Sequence, residues 1–266
     1  MKSKITVSYF SKKKKEGEKI VALTAYDSAT AALAEECGIE LILVGDSLGM
    51  AILGYETTIP VTLEQSLHHC AAVRRGARNA FIVGDMPFMT YQISAEQALG
   101  NAARYLQEAQ VNAVKVEGGV KIAPTVERLV DAGVPVMGHI GLLPQSVMTA
   151  GGYKIAGRTD DQVANLLEDA KALEAAGAFS IVLEGIPKDV CKKISESINI
   201  PTIGIGGGVH CDGQVQVVND LLGLFTNFIP KHAKRYANLG EQIKTAFSEY
   251  VNDVKQEKFP TDDNSF

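Results

Sequence analysis

The chain has 266 residues, 46% of them hydrophobic and 21% charged, with a formal net charge of −5. The acidic balance excludes nonspecific nucleic-acid binding, which needs a concentrated basic surface to neutralise phosphates. No apolar run approaches the roughly 20 residues that a membrane-spanning helix requires.

The first twenty residues carry a lysine run, Lys12 to Lys15, with no apolar stretch after it. A secretory signal needs that stretch, and a transit peptide would be rich in Arg and poor in acid, whereas this segment holds Glu16, Glu18 and no Arg. The run reads as the solvated face of an N-terminal helix within residues 1–19. Beyond it, short apolar segments alternate with amphipathic ones. Strands are predicted at Ile20–Tyr26, Leu41–Asp46, Ala80–Asp85, Ala113–Glu117, Val134–His139, Phe179–Glu184 and Thr202–Gly206, with a weaker one at Gln214–Val218. Each is nearly continuous in Val, Ile, Leu and Ala, the pattern of parallel strands buried on both faces. Helices are predicted between them at Ser28–Cys37, Leu63–Arg75, Ala95–Glu108, Ala123–Asp131, Asp160–Ala176 and Lys188–Ile198.

Ser94 and Thr159 stand where helix N-caps belong. Gly38, Gly76, Gly133 and Gly177 stand where a left-handed C-cap would turn the chain into the next strand. Length alone suits two domains, but uninterrupted strand–helix steps with no linker predict one domain over 1–266. The expected fold is a single (β/α)8 TIM barrel with an extra N-terminal helix and a polar tail over 260–266. Cys37, Cys70, Cys191 and Cys211 are scattered without a CxxC spacing, which points to reduced thiols and a cytoplasmic location.

In such a barrel the chemistry sits at the C-terminal ends of the strands. Five of the apolar runs end in a chargeable group there: Asp46 with Ser47, Asp85, Lys115 with Glu117, His139, and Glu184. Asp46 and Asp85 each follow Val-Gly. Two facing carboxylates repel unless a proton or cation lies between them, and an all-oxygen set suits Mg²⁺. The plainer reading makes both aspartates caps of the following turns. Lys115 and Glu117 are two apart on one strand and so share a face; they either serve a substrate anion or simply pair with each other. Glu184 ends an apolar strand, a setting that favours a general base, with helix capping as the alternative. His139 either polarises a substrate oxygen or fills a polar layer. His68, His69, His210 and His232 lack metal-ligand spacing. The glycine-rich stretch Ile205 to Gly208 suits either a phosphate grip or close backbone packing; no Walker lysine follows it, and it lacks the Rossmann placement.

These stretches together resemble the ketopantoate hydroxymethyltransferase family. The resemblance is carried by Leu23 to Asp27, Leu43 to Met50, Gly84 to Phe88, Val114 to Gly119, Gly138 to Leu142, Pro144 to Ser146, Gly151 to Lys154, Leu173 to Gly177, Leu183-Glu184, Ile203 to Gly206, Asp212 to Gln214 and Ile229 to Lys231. It implies that Asp46 and Asp85 are the Mg²⁺ carboxylates, with Glu117 as the third acid at the metal. It implies that Asp46, Ser47, Asp85 and Lys115 contact the 2-oxo acid, and that Glu184 accepts the proton. The implied reaction passes a hydroxymethyl group from 5,10-methylenetetrahydrofolate to 3-methyl-2-oxobutanoate through an Mg-stabilised enolate, in pantothenate biosynthesis. The implied assembly is a homodecamer of two stacked pentameric rings. The family commonly has Ala where this chain has Gly207 and His where it has Asn219; both departures lie off the metal set, and no motif localises the folate pocket. The phosphoenolpyruvate mutase and isocitrate lyase group shares the barrel, but its Lys-Lys-Cys-Gly-His loop has no counterpart here. A non-catalytic metabolite-binding barrel is the remaining alternative, and it predicts no turnover.

Overall fold

The computed structural model describes residues 5–225 and 230–266, so Ile229 of the last family motif lies outside the described residues. The chain forms two compact units, residues 1–216 and 217–266.

The first unit opens with helix α1 (Val7–Glu16), followed by β1 (Ile20–Thr24), α2 (Ser28–Glu36), β2 (Leu41–Val44), the short α3 (Leu48–Ala51), α4 (Leu63–Gly76) and β3 (Phe81–Asp85). Next come α5 (Ala95–Gln107), β4 (Ala113–Glu117), α6 (Ala123–Asp131) and β5 (Val136–Gly141). A 3₁₀ turn (Pro144–Ser146) and α7 (Val147–Ala150) lead to α8 (Asp160–Ala175), β6 (Ser180–Glu184), α9 (Lys188–Ser197), β7 (Thr202–Ile205) and β8 (Gly213–Gln216). All strand pairings are parallel, and β8 pairs with β1 to close the barrel. The expected (β/α)8 barrel is the observed fold. The strands stop within about two residues of their predicted ends, because the polar residues past each apolar run leave the ladder for the loops. The Ser94 and Thr159 hydroxyls accept from Gln97 and Gln162 backbone N–H as N-caps should.

Two local expectations are corrected. Gly38, Gly133 and Gly177 do turn with φ near +90°. Gly76 does not; it is the last residue of α4, and a Cβ there would lie 2.0 Å from the Ser28 carbonyl oxygen. Its glycine serves the close approach of α4 to α2 instead of a left-handed cap. The lysine run is likewise more than a solvated face. Lys12 is exposed, but Lys14 Nζ donates to the Ser195 and Ile200 carbonyls at 2.9 and 3.0 Å and to Asp212 Oδ2 at 2.8 Å. Lys13 pairs with Glu40. Long lysine stems lie along the apolar floor while their ammoniums reach the groups at the N-terminal ends of the strands.

That floor is the N-terminal end of the barrel. Inward-facing positions repeat every second residue along each strand, and at this end they are apolar: Ile20, Leu41, Phe81, Ala113 and Phe179. Phe10 of α1 is inserted among them, 1% exposed, with edge-on contact to Phe81 at 5.1 Å between ring centroids and a tilted contact to Phe179 at 6.1 Å. Further along the strands the lining is Ala22, Leu43, Val83, Met137 and Val182. The barrel is therefore a filled core closed at one end, and its polar residues collect at the other.

In the second unit, α10 (Val218–Leu222) and α11 (Leu239–Lys255) are joined by backbone hydrogen bonds from Tyr236 to Leu221 and from Gly240 to Gly223. Neither helix was predicted. The exposed Ile243, Phe247, Tyr250, Val251 and Val254 of α11 recur at helical spacing, so the signal for α11 was present. Residues 260–266 are exposed.

Replacing Phe10 by Ala should lower the unfolding free energy by roughly 3 kcal/mol or more, the usual cost of an aromatic side chain removed from a core. Urea denaturation measures this. A loss under about 1 kcal/mol would mean that α1 does not seal the barrel floor.

Candidate active site

The strand register brings the charged residues together. Asp85 of β3 is the partner of Lys115 on β4, Glu117 of β4 is the partner of His139 on β5, and Glu184 of β6 lies beside Gly141 at the end of β5. Asp46 follows β2 directly, and its backbone N–H donates to Asp85 Oδ2 at 3.0 Å. Asp46, Asp85, Lys115, Glu117 and His139 are all buried. Ser47 sits at the same rim, its hydroxyl 2.8 Å from that of Tyr26.

Lys115 is the hub. Its Nζ lies 2.8 Å from Asp85 Oδ1, 3.3 Å from His139 Nδ1 and 3.6 Å from Glu117 Oε1. The simple pairing of Lys115 with Glu117 is thus the longer contact, and the nearest partner comes from the neighbouring strand. Burial alone would pull the ammonium pKa down, but Asp85, Glu117 and Asp46 outweigh it and hold Lys115 above its ordinary range.

The carboxylates answer in kind. Burial raises Asp46 well above its ordinary value, the charges of Asp85 and Glu117 add to this, and Lys115 with Gln145 offsets only part. Burial also raises Asp85, against the pull of Lys115. Glu117 is brought below its ordinary value despite burial, because Lys115 and His139 both face it. His139 spans the ring, with Nδ1 3.3 Å from Glu117 Oε1 and Nε2 3.4 Å from Glu184 Oε2. Burial and Lys115 oppose its protonation, but the two carboxylates prevail and its pKa is pushed up to about 9. The facing carboxylates favour the imidazolium, and His139 stands between the buried acids and Glu184. The Glu184 side chain remains 19% exposed at the mouth.

Capping explains none of these acids. Ser47 precedes α3 without a side-chain cap, as Pro187 precedes α9, and the Asp85 carboxylate is turned to Asp46 and Lys115. The glycine-rich stretch does have a packing role: a Cβ on Gly207 would stand 2.8 Å from Cys191 Sγ, and one on Gly208 would stand 2.6 Å from Lys188 Cβ.

One buried residue at the centre was not singled out from sequence. Gln145, 4% exposed, donates from Nε2 to Asp46 Oδ2 at 3.0 Å and to the Met86 carbonyl at 2.9 Å. Its Oε1 accepts from Tyr91 Oη at 2.8 Å and Gln92 Nε2 at 3.1 Å, and its backbone N–H donates to Glu117 Oε2 at 3.1 Å. Both amide hydrogens and the carbonyl are engaged, so the amide cannot flip and Asp46 is held in one orientation. Its signal was the long connection between β5 and α8, since αβ-barrel loops usually run to about six residues and longer ones carry function.

A divalent cation fits Asp46 and Asp85 on charge grounds. Both are buried carboxylates whose desolvated charge such an ion would stabilise, Asp46 is raised further by its acidic neighbours, and Glu117 Oε1 is buried without a hydrogen-bond partner. Among the described residues no group of three or more His, Cys, Asp or Glu side chains stands ready to hold a metal ion by itself. Mg²⁺ does not require one, since it takes one or two carboxylates and completes its shell with water and substrate oxygens.

A filled parallel barrel with a buried charged ring at the C-terminal ends of its strands defines a (β/α)8-barrel protein with an enzyme-like mouth. The chain belongs to the ketopantoate hydroxymethyltransferase family, whose model matches residues 4–262. A 3-methyl-2-oxobutanoate hydroxymethyltransferase of Syntrophus aciditrophicus (strain SB) is 54% identical over 99% of this chain and 97% of its own length. Another of that name, from Carboxydothermus hydrogenoformans (strain ATCC BAA-161 / DSM 6008 / Z-2901), is 54% identical over 99% and 95%. Among solved structures, phosphonopyruvate hydrolase in complex with oxalate and Mg²⁺ superposes with a TM-score of 0.63 at 12% identity, covering 98% of this chain and 93% of that one. The 2,3-dimethylmalate lyase of the PEP mutase/isocitrate lyase superfamily gives 0.61 at 16% identity, covering 97% and 90%. At such identities the likeness is one of fold.

Gln145→Leu keeps the volume but removes the amide from Asp46. It should weaken Mn²⁺ binding about tenfold, as loss of an orienting partner does at metal sites. Calorimetric titration of the two proteins decides it, and equal affinities would mean that Asp46 holds its position without the amide.

Proposed function

We propose that this protein transfers a hydroxymethyl group from 5,10-methylenetetrahydrofolate to C3 of 3-methyl-2-oxobutanoate, giving 2-dehydropantoate (ketopantoate) and tetrahydrofolate in pantothenate biosynthesis. One observation carries the reading: relatives of that name match nearly the whole chain, and the barrel mouth gathers acids around one lysine. Supporting it, the 2-oxo acid is a small dianion-forming substrate, and Lys115 and the His139 imidazolium are buried cations at the strand ends.

Asp46 and Asp85 would hold Mg²⁺ with Glu117 beside them, and the ion would supply Lewis acidity toward the 2-oxo-acid oxygens. The rest of the scheme belongs to the side chains. Ser47 and Lys115 bind the substrate carboxylate and keto end at the rim. Glu184, partly open to the mouth, takes the C3 proton as general base. Its contact with His139 lets the imidazolium balance the charge on either side of that transfer, while Lys115 stabilises the negative charge that develops on the substrate oxygen. The C3 carbon then bonds to the donor's methylene carbon, and water supplies the hydroxyl as tetrahydrofolate leaves. The resemblance extends the proposal to a cytoplasmic decamer of two pentameric rings. The exposed apolar stripe of α11, Ile243, Phe247, Val251 and Val254, supports assembly of some kind, since a stripe of that sort favours burial against another surface.

The test is folate-dependent loss of 3-methyl-2-oxobutanoate with and without Mg²⁺. Turnover that persists undiminished in excess EDTA would remove the metal from the scheme, and Asp46→Ala and Asp85→Ala should each weaken the Mg²⁺ dependence. Glu184→Gln should slow deuterium exchange at C3 by about 10²-fold or more, the usual contribution of a positioned base, while the 2-oxo acid still binds. Exchange at the wild-type rate would dismiss Glu184 as the base.

A further inference from the structure

The connection from β5 to α8 crosses the mouth. Tyr153, on this connection, points its hydroxyl to Met50 Sδ of α3 at 3.8 Å, so it reaches from the end of β5 to the helix that follows Asp46. Burial, then the charges of Asp46, Glu184 and Glu117, raises the Tyr153 phenol above its ordinary pKa. Two cavities meet at this tyrosine. The inner one, about 120 Å³, is walled by Gly141, Leu142 and Leu143, and the Leu142 N–H donates to the Glu184 carbonyl at 2.8 Å. The outer one is a groove of about 430 Å³ lined by Tyr153, Lys154, Ile155, Arg158 and Gln162.

Of the acid site, Glu184 meets the wall of the inner cavity through its backbone carbonyl, and Lys154 lines both cavities. The outer end presents Lys154 and Arg158, both exposed, and neither forms an ion pair among the described residues. Gln162 adds a donor: its Oε1 is taken by the Arg158 backbone N–H at 2.8 Å, which leaves Nε2 for a ligand. Asp160 and Asp161, in the first turn of α8, do not line the groove. An elongated ligand with an anionic tail is repelled by the acid ring and attracted by the two cations, so electrostatics sets which end enters first. Between the ends, the Tyr153 ring and the Ile155 side chain offer an apolar wall for a flat aromatic group.

Resting on the folate-dependent reaction proposed above, we propose that the Tyr153–Gln162 groove binds the aromatic, carboxylate-bearing tail of the one-carbon donor. Lys154 and Arg158 take the tail's carboxylates. The donor's reactive methylene then lies inward, toward Glu184 and the C3 carbon of the 2-oxo acid.

Two donors separate the groove from the reaction: 5,10-methylenetetrahydrofolate, and the same ring system built on the primary amide of tetrahydropteroate, which lacks the glutamate and carries no carboxylate. In the double variant Lys154→Ala with Arg158→Ala, the KM for the glutamate-bearing donor should rise about tenfold, as loss of charge-assisted contacts does. The KM for the uncharged pteroyl-amide donor should match that of the wild type, and donor-free deuterium exchange at C3 should keep its rate. The same KM for the folate donor in both proteins overturns the groove assignment and leaves the transferase reading standing. Loss of C3 exchange together with the KM effect gives these residues a structural role and also overturns it. Absence of folate-dependent turnover in the wild type overturns both.

Discussion

The contact between Lys115 and Asp85, 2.8 Å across two adjacent strands, is the interaction on which the mouth of this barrel depends. A lysine and three carboxylates taken out of water are costly, and only mutual attraction at short range offsets the loss of hydration. Lys115 serves Asp85 first, Glu117 at longer reach and Asp46 through the field, so the charge of each acid is defined by its distance from one ammonium. The remaining imbalance is negative. Burial raises the pKa values of Asp46 and Asp85, and the acidic neighbours raise Asp46 further, a setting that the proposed cation would relieve.

The same strands carry both stability and chemistry, divided by depth. Phe81 and Phe179 surround Phe10 at the floor, Val83 and Val182 fill the middle, and Asp85 and Glu184 stand at the top of those two strands. The sealed floor lets the upper ring be buried and crowded, because the apolar layers below it supply the cohesion that the charges do not. Lys13 and Lys14 contribute at the lower end by fastening α1 beneath the barrel.

Rigidity above the ring comes from the connection after β5. Gln145 reaches Asp46 on one side and the Glu117 carboxylate on the other, and Tyr91 donates to it while accepting from the Glu117 N–H. Such neutral partners fix a charged site at low electrostatic cost: each satisfies a carboxylate or a backbone group without adding charge. Further along, Tyr153 reaches Met50 of α3, and Lys154 and Arg158 line the groove beyond it. One connection therefore orients the acids through Gln145 and carries the two cations of the groove.

Sequence by itself determined the barrel and its acid ring. Continuous apolar runs mark strands buried on both faces, and Asp46, Asp85, Lys115, Glu117, His139 and Glu184 stand out because each ends such a run. Period-two alternation also put Lys115 and Glu117 on one face. Only the tertiary structure decided which of these touch. Register and barrel closure made Asp85, 30 positions earlier by number, a nearer partner for Lys115 than Glu117 on its own strand. It also revealed Gln145 and Tyr153, for an uncharged side chain in a loop breaks no periodic pattern, and its role exists only once distant strands have brought its partners within hydrogen-bonding distance.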